Sequence, residues 1–89
     1  MNKQQNQKDA SALQDIEQEI EALNREMRDL LQQKEVCMRR KKELMNAEDP
    51  RRRIFHHQQI HSLQMECLRL EVEAETKRRK INRLRLGMD

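Results

Sequence analysis

Three groups of residues in this 89-residue chain have types and spacings that chemistry uses. The first is the stretch HHQQIH, where His57 and His61 stand one helical turn apart, a spacing that suits a metal ion. No third ligand accompanies them, because His56 and Cys37 both fall on positions that a helical seam would bury. No metal site and no cofactor are therefore expected. His56 does fall near Lys41, so its protonation near pH 6 would add charge to a region that is already basic. The second group is the two cysteines, Cys37 and Cys67. They lack metal-ligand spacing and read as small apolar fillers in an intracellular, reducing setting.

The third group is basic: RRKK at 39–42, RRR at 51–53 and KRRK at 77–80. Arg39, Arg40, Lys42, Arg51, Arg52 and Arg53 are the candidate contacts for nucleic acid or another anionic surface. No aromatic residue interleaves with them and no glycine-rich loop accompanies them, so base stacking has no support. KRRK has the composition of a nuclear import signal, but it also balances an acidic block elsewhere in the chain. The chain is thus expected to be cytoplasmic rather than nuclear. No nucleophile–base pair, paired catalytic carboxylates or phosphate cradle appears, and no enzyme is expected.

These residues need elements to position them, and the composition names the kind. Charged residues make up 39% and aromatics 1%, with one glycine and one proline, a balance that belongs to long helices. No apolar run approaches a membrane span, and the first residues show no apolar signal region. Residues 1–10 are polar and aperiodic, and are expected to be a disordered tail. Ser11 and Gln14 have the spacing of a capping box.

From there the apolar residues recur in steps of three and four. The first heptad has Leu13, Ile20, Met27, Lys34 and Lys41 at position a, and Ile16, Leu23, Leu30, Cys37 and Leu44 at position d. A second heptad has Arg53, Ile60, Cys67, Ala74, Ile81 and Met88 at a, and His56, Leu63, Leu70, Lys77 and Leu84 at d. The frame breaks at NAEDPRRR. There Asp49 suits an N-cap and Pro50 a first helical residue. Gly87 suits the position just past a helix end.

The expected fold is all-α: helix 1 over about 11–46, a turn at about 47–49, and helix 2 over about 50–86. The two helices form an antiparallel coiled-coil hairpin over 11–87, assembled into a larger bundle or a dimer. Folded at the turn, the two heptads register with Leu44 facing Arg53, Cys37 facing Ile60, Leu30 facing Cys67, Leu23 facing Ala74, and Leu13 facing Leu84. The cysteines then sit one layer apart and are not expected to bond. Glu17–Arg78 and Glu19–Lys80 would straddle the seam, while Glu26 beside Glu73 would repel. The lysines at core positions weaken the seam and help fix its register. An arm-swapped antiparallel dimer has the same layers.

Ile54, Phe55, Met65, Leu68 and Val72 recur on the side of helix 2 that faces away from helix 1. Leu31, Met38 and Met45 widen the apolar face of helix 1. A lone hairpin would leave these residues in water. The expected function is therefore a non-catalytic protein–protein interaction module, a scaffold, adaptor or oligomerisation domain using the helix 2 strip. Its partner is itself or a helical segment of another protein. The alternative is a binder of nucleic acid or another anionic surface through the basic tip. A small-molecule substrate is not expected.

Overall fold

The computed structural model describes residues 3–87 of the chain. It is an antiparallel pair of helices, α1 (Lys3–Ala47) and α2 (His57–Arg85), joined through a single 3-10 turn at Pro50–Arg52. The molecule is a rod of 81 × 17 × 13 Å. The hairpin expected from the sequence is present. Its boundaries, its turn and its register differ from the expected ones, and each difference has a physical origin.

Residues 3–10 are helical and continuous with α1, so Ser11 opens no helix. The segment KQQNQKDA contains strong helix formers and no glycine, proline or β-branched residue, so nothing stops the helix propagating backward. Residues 1 and 2 of the expected tail, and Met88 of the expected seam, lie outside the described residues.

The turn is longer than three residues. Asp49 does act as the N-cap of a turn that starts at Pro50: its Oδ1 accepts from the backbone N–H groups of Arg51 at 3.1 Å and Arg52 at 3.4 Å. That turn goes no further, because Arg53 takes the left-handed conformation at φ 57°, ψ 38°. Its N–H closes the turn on the Pro50 carbonyl at 3.2 Å. Asp49 and Ile54 then exchange both backbone hydrogen bonds at 2.9 Å, which fastens the two ends of the loop together. Glu48 Oε2 accepts from the His56 N–H at 3.2 Å and leads the chain into α2. Ile54, Phe55 and His56 thus precede the second long helix instead of lying on it, and Arg51–Arg53 are not at its N-terminus. At the other end the expectation for Gly87 is met: it adopts φ 69° and donates to the Leu84 carbonyl at 3.2 Å.

The longer link moves the fold point towards Arg52 and slides the two heptads past each other by one whole repeat. Leu23 packs with Ile81 and Leu84, flanked by Ile16, Ile20 and Met27. Cys37 donates to the Leu63 carbonyl at 3.2 Å and meets the Cys67 side chain, which the expected register placed one layer away. Leu44 borders a groove with Gln59 and Leu63 rather than lying over Arg53. A slide of seven residues preserves every a and d assignment, so periodicity does not oppose it. It also removes Arg53 and His56 from the seam, where a guanidinium would carry a desolvation cost. The compensating loss is at the far end. Leu13 has no α2 residue opposite it and is 62% exposed.

The seam buries Leu23, Cys37, Leu70, Ala74, Ile81 and Leu84, all apolar or weakly polar, with no buried charge among the described residues. The seam lysines keep their ammonium groups outside it. Lys34 reaches Glu71 at 3.7 Å and Lys77 reaches Glu26 at 3.1 Å. Their aliphatic stems cover the seam while the charge stays in water.

Candidate functional site

The surface that distinguishes this rod from an ordinary pair of helices is built at its tip-proximal half. On α2, Met65, Leu68 and Val72 follow one another at three- and four-residue steps and share one flank. All three are exposed, Leu68 at 48% and Val72 at 64%. On α1, Leu31, Met38 and Met45 step by sevens and are also exposed. Between the two rows runs a groove of about 500 Å³ lined by Met38, Met45, Cys67 and Leu68, with Lys34, Lys41, Lys42, Gln64 and Glu71 along its edges. Methionine is flexible and polarisable, which suits such a groove to packing against a varied apolar partner.

Of the five residues expected to form the contact strip, the structure brings together Met65, Leu68 and Val72. It places Ile54 and Phe55 apart, in the linker. Both are exposed. Ile54 is held by its backbone to Asp49, and the Phe55 ring stacks on His57 at 5.1 Å. The opposite flank of the seam opens to a second groove of about 560 Å³, lined by Asp29, Gln32, Gln33, Val36, Cys37, Arg40, Leu63, Glu66 and Leu70. Its lining is as mixed as that of the first. Val36, exposed beside it, belongs to neither apolar row and was not singled out by its spacing.

The basic clusters divide into two kinds. In KRRK every cation has a carboxylate. Lys77 pairs with Glu26 at 3.1 Å and Lys80 with Glu19 at 3.4 Å, both across the seam. Arg78 and Arg79 both turn to Glu75 within α2. Hydrogen bonds from Arg78, the largest influence, hold the Glu75 carboxyl below its usual range. The Glu17–Arg78 pair expected from the sequence is replaced by this local one. The expected Glu26–Glu73 repulsion is absent as well, because Glu26 takes Lys77 and Glu73 takes Arg69. Arg69 also holds Glu66. Such exposed pairs each contribute little, because solvent screens them.

The tip is different. Among the described residues only Arg52 has an acidic partner there, Asp49 at 3.6 Å. Arg39, Arg40, Lys41, Lys42, Arg51 and Arg53 form no ion pair within 4 Å among the described residues. Arg39, Arg40 and Lys42 lie on α1, five to eight residues before its end at Ala47. Arg51, Arg52 and Arg53 are all exposed in the loop.

The two cysteines meet inside the seam. Burial, the leading cause, together with the neighbouring Cys67 and Glu66, pushes the Cys37 thiol up to about 11. Cys67 is half-buried and is the more accessible sulfur. No helix of the described residues is long and apolar enough to cross a membrane. No protein-family model, no curated protein and no solved structure matches the chain, so its fold and surfaces speak for it alone.

Proposed function

We propose that this chain is a non-catalytic interaction module, a coiled-coil hairpin that scaffolds or oligomerises by packing a further helix against its exposed apolar flank. The observation that carries this reading is the flank itself. Met65, Leu68 and Val72 on α2, and Leu31, Met38 and Met45 on α1, remain uncovered when the two helices have finished packing. A hydrophobic face of this kind is ordinarily buried against another element. A groove between two helices accepts a third at i, i+3, i+4 and i+7 anchors. Both grooves are shallow and flank a solid seam, which suits binding rather than a reaction that must exclude water.

Leu68→Asp is the direct test. Leu68 is half-exposed in the hairpin, so the substitution spares the fold. The wild-type chain is expected to run above its 10.9 kDa mass in light scattering, and Leu68→Asp to return to it. An associated wild type whose mass Leu68→Asp leaves unchanged would overturn the role of the flank. A monomer in both cases removes self-association and leaves a helix of another protein as the partner.

One observation favours a second reading, a binder of nucleic acid or another anionic surface. Of the described tip cations only Arg52 has a carboxylate, whereas KRRK is fully paired. Under this reading, binding to duplex DNA or heparin weakens steeply with added salt. Reversing Arg51, Arg52 and Arg53 to glutamate abolishes it. Retention that is indifferent to both salt and reversal would remove the tip from consideration.

A further inference from the structure

We infer that the occupant of the apolar groove is a second copy of this chain, docked antiparallel so that the overhanging N-terminal part of each α1 lies against the tip-proximal part of the other. The inference rests on the interaction reading above and names its partner.

Three features meet in it. The first is the overhang. α1, at 45 residues, is far longer than α2, at 29, and Leu13 is exposed, with no residue of α2 opposite it. The second is charge polarity along α1. Residues 10–24 carry Asp15, Glu17, Glu19 and Glu21 and no base. Residues 34–42 carry five bases and one acid. Within the hairpin Glu19 takes Lys80, but among the described residues Asp15, Glu17 and Glu21 find no cation within 4 Å, and neither do Lys41 and Lys42 a carboxylate. A helix that is acidic at one end and basic at the other opposes its own copy favourably only when antiparallel. The third is the position of the groove. Its floor of Met38, Met45 and Leu68 lies at the basic end, between Lys34, Lys41 and Lys42.

One offset satisfies both kinds of contact. With a two-fold axis crossing α1 near residue 29, Leu13 of each chain stands opposite Met45 of the other, and Glu17 opposite Lys41. The rise of the helix, about 1.5 Å per residue, keeps these two positions in step because both partners are continuous α-helix over this span. The interface is isologous, so each contact occurs twice and the assembly closes at two chains. An arm-swapped dimer would have the same mass. It exchanges α2 between chains within the existing seam and brings Glu17 near no Lys41.

The test is a charge swap read by sedimentation equilibrium. Wild type is expected at twice 10.9 kDa, dissociating as salt rises. Glu17→Lys alone, and Lys41→Glu alone, each set two like charges face to face twice per dimer and are expected to weaken association roughly ten-fold or more. The double variant, with both substitutions in one chain, restores opposite charges and is expected to recover most of the loss. A monomeric wild type at low salt and high concentration would overturn the inference. So would single variants that associate normally, or a double variant that adds the two losses. A wild-type dimer that Leu68→Asp dissociates but the swap does not rescue would leave the docking flank standing and overturn only this arrangement.

Discussion

Leu70→Ala is expected to lower the unfolding free energy by about 2–5 kcal/mol, a large share of what so small a fold possesses. Leu70 is the most deeply buried of the described side chains, at 2% exposure, near the middle of α2. With only one layer of partners on α1, the structure has little means of collapsing into the space that truncation leaves. Leu68, two residues away, is the internal control. At 48% exposure, its change to alanine is expected to cost a fraction as much. Urea unfolding at one fixed chain concentration compares the two variants and holds any mass-action contribution constant. Equal losses would mean that the seam is not where Leu70 lies.

The second large effect is expected from oxidation. With oxidised glutathione, Cys67, the accessible thiol, attacks the small disulfide as thiolate and releases one glutathione thiol. Cys37 then loses its proton and displaces the second glutathione from Cys67. Two electrons and two protons pass to the two glutathione molecules, and one S–S bond remains in the chain. The rate is expected to rise with pH, since burial keeps Cys37 protonated to about pH 11. The bond closes a loop of about thirty residues and is expected to add about 3–4 kcal/mol of stability. Mass spectrometry of the intact chain and denaturant unfolding with and without reductant check both parts. The result also decides the register. With the helices one heptad back, Cys37 would lie against Ile60, and no bond would form within the chain.

The residues that announced the fold did so through local rules. Asp49 and Pro50 gave an N-cap and a first helical residue, and both hold those places in the 3-10 turn, though not at the start of α2. Gly87 took the left-handed position past the end of α2. What stayed hidden was non-local. Two heptads laid antiparallel satisfy the same layers at every seventh offset, so Leu23 matched Ala74 in one register as well as Ile81 in the next. Choosing between them depended on Arg53 taking φ 57°, a conformation unusual for arginine and invisible in its side-chain type. From that single dihedral follow the one-turn helix at Pro50, the displacement of Ile54 and Phe55 from the expected strip, and the contact of Cys37 with Cys67. Met65, Leu68 and Val72 were legible because their spacing is internal to one helix. The groove beside them was not, because it depends on which α1 residues the slide brings alongside.

The pair of hydrogen bonds between Asp49 and Ile54 has a bearing on the whole molecule. A periodic seam measures only remainders: it fixes how the two helices face each other, but not how far along. Absolute distance is set where the loop is pinned. A change confined to the six residues from Asp49 to Ile54 can therefore alter the length of the free α1 arm by about 10 Å, one heptad of rise, without repacking a core side chain in kind. The loop acts as the gauge of the rod and the seam as its thread. Whatever distance this protein spans between its two ends is encoded in a clasp that touches neither of them.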